Sequence, residues 1–143
     1  MSKPIETRAE FQELAEIRLS EAKALLELER WDGAYYLAGY AVELALKACV
    51  IKMLMATDSF PDREFSRNCY THDLVKLVGL AGLDPTWMNA IKTDKKLKKN
   101  WMFAAGWSEE RRYHRIDRIE AESLLNAIVD SDHGVLPWIK SQW

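Results

Sequence analysis

The sequence predicts an all-α fold, an antiparallel bundle of four or five helices in a single domain that spans residues 1–143. Apolar residues recur at steps of three and four along most of the chain, which is the periodicity of a helix face packed on a core. No segment of the sequence shows the two-residue period of a β-strand, and no repeat or interdomain linker is visible. The length suits one domain, and 48% hydrophobic with 29% charged residues is the mix of a globular protein.

The first two helices are predicted from their apolar patterns and starting residues. Pro4 suits a first helical turn, and an apolar stripe then continues to Leu26. Asp32 is predicted to cap the second helix after a tight turn. Residues 33–55 are apolar around most of the helix circumference, which predicts that this second helix lies at the centre of the bundle.

A polar stretch separates the second helix from a short third one. Residues 57–70 are polar and contain Pro61, which predicts a loop. Thr71 is then expected to cap a short helix that ends at Gly79 or Gly82.

Two further helices complete the predicted bundle. Asp84 and Pro85 stand in the preferred places for a cap and a first-turn proline, and Gly106 is expected to end the helix that they start. The last helix is predicted to begin near Asp117 and to break at residues 133–137, which include a proline.

Charge is distributed unevenly along the chain, although the formal net charge is only −2. Residues 92–118 contain 9 basic and 4 acidic residues, a net charge of +5, which favours a phosphate-bearing ligand or an acidic partner surface. Residues 92–99 are interpreted as a solvated lysine face. The alternative is an RNA groove in which Trp101 and Trp107 stack on bases.

The sequence contains neither a signal peptide nor an apolar run of the ~18 residues that a membrane span requires. A cytoplasmic protein without membrane contact is therefore expected. Cys49 and Cys69 lack metal-ligand spacing and are predicted to be free thiols, with Cys49 packed in the core. We expect neither a metal site nor a cofactor.

Four polar side chains share one face of the second helix at helical spacing: Tyr36, Tyr40, Glu43 and Lys47. Glu43 precedes Lys47 by four residues, which is the favourable order for an ion pair. If this face is buried, both charges need further partners, and an arginine is the natural one for Glu43.

Four segments, taken in order, resemble the HEPN family: AVELALKA in the second helix, THDLVKL, WSEERRYH, and the final AESLLNAI with WIK. The resemblance covers nearly the whole chain and implies a small helical bundle that is commonly dimeric. A homodimer formed through helix faces is therefore expected.

The family that this chain resembles has a ribonuclease branch, marked by an Arg and a His with four to six residues between them, and a non-nuclease branch. Arg67 and His72 match that spacing, but they lie in the loop before the short helix. The motif belongs near the start of the last bundle helix, where His114 has no arginine at the required distance. The resemblance therefore implies the non-nuclease branch, whose members bind a nucleotide, RNA or a nucleotidyltransferase partner, in some cases as part of a toxin–antitoxin-type pair.

The leading hypothesis is a non-catalytic binding module with a groove between the second helix and residues 111–114. Its candidate ligand-binding residues are Arg111, Arg112, Tyr113, His114, Tyr40, Glu43 and Lys47. For several of these, a structural role is an open alternative: Glu43 and Lys47 can fix the register of the bundle, and Arg112 can pair with Glu43.

Two other functions stay open. The first is a metal-independent RNA endonuclease in which His72 or His114 transfers the proton and Arg112 holds the phosphate. The second is a dimeric scaffold with no small ligand.

Overall fold

The computed structural model describes residues 2–143, and within that range it contains only helices, turns and loops, which confirms the predicted all-α bundle. Short helices also form where loops or continuous longer helices were predicted. The α-helices are α1 (Arg8–Glu27), α2 (Trp31–Thr57), α3 (Arg63–Asn68), α4 (Leu74–Leu80), α5 (Asp84–Thr93), α6 (Lys95–Ala105), α7 (Arg118–Val129) and α8 (Val135–Lys140). A 3₁₀ helix (Glu109–Tyr113) lies between α6 and α7.

Helix α2 lies at the centre of the bundle, as its apolar circumference predicts. It packs against α1, α4, α7, α8 and the 3₁₀ helix. Small residues such as Ala38, Gly39 and Ala45 are buried on α2 and allow these neighbours to approach its backbone closely. The central helix therefore positions every other part of the fold that bears on the candidate site.

Helix α1 begins later than predicted. Pro4 precedes the helix, and Thr7 is its N-cap. The Thr7 side chain accepts the backbone N–H of Glu10 at 3.2 Å, and the Glu10 carboxylate accepts the backbone N–H of Thr7 at 2.9 Å. The assignment of Pro4 to the first turn is wrong, because this reciprocal capping box satisfies the free N–H groups at Thr7 instead.

Asp32 does not cap α2 as predicted. The helix begins at Trp31 with Arg30 as its N-cap, so Asp32 lies inside the first turn. Its carboxylate instead accepts the backbone N–H of Ile116 at 2.5 Å, across the bundle. This hydrogen bond connects the segment before α7 to the start of α2.

The two short helices after α2 each begin at an aspartate that caps the helix, Asp62 for α3 and Asp73 for α4. The loop prediction for residues 57–70 is wrong, because Asp62 accepts the N–H of Phe65 at 2.7 Å and starts α3. Thr71 is not the cap of α4; it accepts the N–H of Asp73, and Asp73 is the N-cap.

The helix predicted between Asp84 and Gly106 is divided in two at Asp94. The Asp94 carboxylate accepts the N–H groups of residues 96 and 97 at 3.0 Å each and lies 2.7 Å from His133 Nδ1, so it starts α6 and ties it to the turn before α8. Leu83, and not Asp84, is the N-cap of α5. The structure confirms that α6 ends at Gly106 and that Asp117 caps the last long helix.

The contact between α2 and the indole of Trp107 generates a prediction about Gly39. A Cβ atom at Gly39 would collide with the Trp107 ring. Alanine favours a helix interior by about 1 kcal/mol over glycine, yet we expect Gly39→Ala to lower the free energy of unfolding by about 1–3 kcal/mol, the usual cost of overpacking. Urea denaturation followed by circular dichroism measures this change.

Gly106→Ala is the matched control for Gly39→Ala, since Gly106 adjoins the same tryptophan. A Cβ atom there would lie 3.5 Å from the carbonyl oxygen of Phe103, which is ordinary van der Waals contact. We expect a change of less than about 0.5 kcal/mol at this surface position. Equal effects of the two substitutions would contradict the packing of Trp107 on Gly39.

Candidate functional site

A buried carboxylate lies at the centre of the candidate site. Glu43 is only 1% exposed, in the middle of α2. Its Oε2 lies 3.3 Å from Lys47 Nζ, so the expected pair between these residues forms. The other oxygen, Oε1, lies 2.8 Å from His72 Nδ1. The expectation of an arginine partner for Glu43 is wrong, because the loop before α4 brings His72 to this oxygen.

His72 also contacts the 3₁₀ helix. Its Nε2 lies 3.1 Å from Oε2 of Glu109, while its Nδ1 faces Glu43. The imidazole thus bridges α2 and the 3₁₀ helix from the loop before α4. We call the group formed by Glu43, Lys47, His72 and Glu109 the buried polar cluster.

Aromatic rings lie beside the buried polar cluster. The rings of Tyr36 and Tyr40 are 5.5 Å apart between centroids, and Trp107 lies 5.9 Å from Tyr36 and 6.1 Å from Tyr40. The ring of Tyr40 is 6.3 Å from that of His72. Burial, followed by the neighbouring Glu43 carboxylate, raises the pKa of the Tyr40 hydroxyl, so this phenol stays neutral.

A cleft of about 480 Å³ opens over His72. Its walls come from the start of α4 and from the residues that lead into the 3₁₀ helix, and they include the carboxylates of Asp73, Glu109 and Glu110. Because carboxylates outnumber cations along these walls, the cleft repels a phosphate. This cleft is not the groove predicted between α2 and residues 111–114, because neither contributes to its walls, and its acidic charge differs from that of the arginine-rich segment that follows it in the chain.

Residues 111–118, which we call the arginine strip, place guanidinium groups against aromatic rings. The Cζ atom of Arg112 lies 4.9 Å from the centroid of the Tyr113 ring, and that ring is 78% exposed. Hydrogen bonding to Tyr113, and then to Tyr36, raises the pKa of the Arg112 guanidinium, which is therefore always charged. Arg112 thus presents a permanent cation beside an open aromatic face.

Two other arginines of the strip pair with carboxylates of α7, and the contacts of Arg111 hold the strip to the bundle. Arg111 Nη2 lies 3.0 Å from Glu120 Oε1, and its Cζ is 5.2 Å from the centroid of the Tyr35 ring. Arg118 Nε lies 2.7 Å from a carboxylate oxygen of Glu122 on the next turn of α7. Neither Arg112 nor Arg115 has a carboxylate within 4.0 Å among residues 2–143, so these two leave positive charge available to a ligand.

The predicted site residues are therefore divided between two places. The exposed residues of the strip include Arg112, Tyr113 and His114, whereas Arg111 is half-buried. Three residues predicted for the same groove, Tyr40, Glu43 and Lys47, lie in or beside the buried polar cluster instead. Arg112 does not pair with Glu43, and the structural alternative that was open for Arg112 is wrong.

Arg67 and His72, which match the ribonuclease spacing, do not line a common cleft. Both ring nitrogens of His72 face carboxylates, and Arg67 lines a different cleft from the one that contains His72. The alternative RNA groove along the lysine face required Trp101 and Trp107 to stack on bases. Trp107 is only 3% exposed, so its ring cannot do so.

Two residues that matter here, Glu109 and Gly39, were not singled out in the sequence. Asp32 was singled out as a cap, but its hydrogen bond with Ile116 was not predicted. Glu109 lies in the WSEERRYH segment, so its nearness to the arginines was visible, but its contact with His72 depends on the tertiary fold. A glycine in the middle of an apolar helix is a recognisable sign of a close approach, and Gly39 is such a residue.

Both cysteines are free thiols, as predicted. Cys49 is buried, and burial raises its pKa to about 11, while burial also raises the pKa of Cys69. Among residues 2–143, no group of three or more His, Cys, Asp or Glu side chains is arranged to hold a metal ion. Within the same residues, no helix has the length and apolarity to cross a membrane.

Residues 10–62, which cover most of α1, all of α2 and the loop that follows it, match the family model described as the HEPN domain. No curated protein and no solved structure matches the chain.

Because Glu43 is buried, we expect that neutralising its charge greatly lowers the free energy of unfolding. Glu43→Gln leaves the ammonium of Lys47 and the ring of His72 without their buried anion, so we expect the free energy of unfolding to fall by about 2–4 kcal/mol. Glu122→Gln breaks an exposed pair with Arg118 and serves as the control, with an expected loss of about 0–1 kcal/mol. Chemical denaturation of both variants tests this difference, and equal losses would contradict a buried role for Glu43.

Proposed function

We propose that this chain, whose residues 10–62 match the HEPN domain model, is a non-catalytic binding module whose arginine strip holds single-stranded RNA or a nucleotide. One observation carries the proposal: the charged group of Arg112 lies on the face of Tyr113, a ring that is 78% exposed. Single-stranded nucleic acid is bound by this combination, since a base stacks on the ring while the cation contacts a phosphate.

Charge on the strip supports the same ligand class. Arg111 and Arg118 are paired with carboxylates of α7, whereas Arg112 and Arg115 are not paired among residues 2–143. In the sequence, the two unpaired arginines therefore lie on either side of Tyr113. A guanidinium donates two parallel hydrogen bonds to phosphate oxygens, which suits a nucleotide backbone better than an ammonium does.

The positions of the histidines favour binding over cleavage. A general base needs a ring nitrogen that can reach the substrate proton. In His72 both nitrogens face the carboxylates of Glu43 and Glu109. His114 is exposed on the strip, but no arginine stands at the spacing of the ribonuclease motif before it. The ribonuclease function is therefore the runner-up, and a direct assay separates it from binding.

We also propose that the module works with a protein partner, as a homodimer or beside a nucleotidyltransferase in a toxin–antitoxin-type pair, inside the cytoplasm. Large apolar side chains remain open to solvent near the end of α2, with Phe60 98% exposed and Met55 67% exposed. Exposed apolar side chains of this size are typical of partner surfaces. Size-exclusion chromatography with light scattering measures whether the purified chain is a dimer.

Two substitutions test the proposed RNA site. We expect Arg112→Ala and Tyr113→Ala each to weaken binding of a labelled single-stranded RNA at least about fivefold, because a phosphate contact or a stacked base is lost. Arg18→Ala removes the same charge from α1, where Arg18 pairs with Glu21 far from the strip in sequence, and should leave the affinity nearly unchanged. Equal affinities for all three variants, with folding intact, would rule out the strip as the RNA site.

The runner-up is tested with the same RNA in the presence of a chelator. The proposed binding module leaves the RNA intact over a long incubation. Cleavage that persists with chelator and disappears in His72→Ala or His114→Ala would place the chain among the ribonucleases instead. Arg112→Ala should also abolish cleavage if that guanidinium holds the scissile phosphate.

A further inference from the structure

The cleft over His72, which we call the acidic cleft, carries an inference about the protein partner of the module. We propose that the acidic cleft binds a basic peptide segment of a partner protein, with an arginine side chain as its anchor. This assignment rests on the part of the proposed function that gives the module a protein partner, and it does not depend on RNA binding. The volume of about 480 Å³ lies within the range of about 300–1,000 Å³ that is usual for ligand sites.

Carboxylates dominate the walls of the acidic cleft. Asp73, Glu109 and Glu110 line it, and no lysine or arginine of residues 2–143 does, although the arginine strip begins at the next residue of the chain. Three carboxylates that line one cleft attract a cation and repel an anion. The occupant of the acidic cleft is therefore expected to be positively charged, unlike the ligand of the strip.

The three carboxylates differ in how far the chain already uses them. Glu109 lies 3.1 Å from a ring nitrogen of His72, and Oδ1 of Asp73 accepts the backbone N–H of Lys76 as the cap of α4. Glu110 is exposed and has no cationic nitrogen within 4.0 Å in the described part of the chain. A cation that enters the cleft is therefore expected to pair with Glu110.

The indole N–H of Trp107 is a second observation, independent of the charges. The ring forms part of the cleft wall and is only 3% exposed. Its Nε1 atom is buried and has no hydrogen-bond acceptor among the described residues. A buried donor without an acceptor is unfavourable, and an oxygen atom of a ligand in the cleft would satisfy it. Ala105 and Gly106 belong to the same wall, and their small size allows a peptide backbone to approach the ring closely.

The carboxylates and the unpaired N–H together favour a peptide over other cations. A polyamine is positively charged but has no oxygen atom to accept the N–H of Trp107, and a free amino acid has a carboxylate that the walls repel. In a peptide, an uncharged backbone carbonyl accompanies each arginine side chain. A guanidinium donates two parallel hydrogen bonds to a carboxylate, which favours arginine over lysine. Its methylene groups can pack on Val75, a wall residue that is 55% exposed.

The experiment titrates the whole chain with a blocked peptide of alternating alanine and arginine and follows its NMR spectrum. We expect the backbone amide signals of residues 105–110 to shift, and the indole N–H signal of Trp107 to move downfield as it gains an acceptor. The chain has six tryptophans, and Trp107→Phe identifies the signal. A peptide with citrulline in place of arginine has the same shape without the charge and should bind at least about tenfold more weakly.

Two substitutions of exposed glutamates form a matched pair. Glu110→Gln should weaken binding of the arginine peptide about threefold to fivefold, because the carboxylate that has no cation partner is lost. Glu13→Gln removes the same charge from α1, where Glu13 is exposed, has no cation within 4.0 Å among residues 2–143 and does not line the cleft. It should leave the affinity nearly unchanged. Equal affinities for both variants, or for both peptides, would overturn the inference.

Other occupants of the acidic cleft give different results. If the chain is a dimer that dissociates in Glu110→Gln, measured by light scattering, the cleft holds a second copy of this chain and the inference fails. Peptide-induced shifts confined to residues 111–118 or to the end of α2 would also overturn it, because the peptide would then bind outside the cleft.

Arg112→Ala separates this inference from the proposed RNA site. We expect this variant to bind RNA weakly and to bind the arginine peptide as the unmodified chain does. If RNA binds and the peptide does not, the acidic cleft is not a peptide site and the RNA site stands. If the peptide binds in the cleft and RNA does not bind, the RNA site fails and the acidic cleft stands.

Discussion

A carboxylate in the middle of an apolar helix has to be paired, because burying an isolated charge costs several kcal/mol. Glu43 meets this constraint with Lys47 from its own helix and His72 from the loop before α4. The second partner matters most for the fold, since it draws a distant part of the chain onto α2. His72 in turn contacts Glu109, so the position of the 3₁₀ helix also depends on the burial of Glu43.

Features that depend on local sequence were predictable, and those that depend on distant contacts were less so. The central helix follows from its apolar circumference, and the Glu43–Lys47 pair follows from a spacing of four residues. The partner of Glu43 could not be assigned in this way, because His72 is 29 residues away. The same limit explains Asp32, a good local cap whose carboxylate bonds to Ile116, 84 residues away.

Some errors had local causes. Asp62 lies three residues before Phe65 and caps α3, a pattern that the sequence displays, but Pro61 and the polar composition favoured a loop. The candidate site was divided for a different reason. Tyr40, Glu43 and Lys47 on one face of α2 were expected to line a groove with residues 111–114. The α2 residues instead lie in or beside the buried polar cluster, and most of residues 111–114 face solvent.

Ion pairing also determines which arginines keep an unneutralised charge. Carboxylates of α7 neutralise Arg111 and Arg118, so these two arginines add little to the electrostatic field of the strip, and the Arg111 pair also anchors the strip to α7. The charge that a ligand meets comes from Arg112 and Arg115, next to Tyr113. The carboxylates of the neighbouring cleft repel a phosphate. In the proposed binding mode, a nucleotide backbone would therefore lie on the outer face of the strip, where the cations attract it and the acidic cleft does not oppose it.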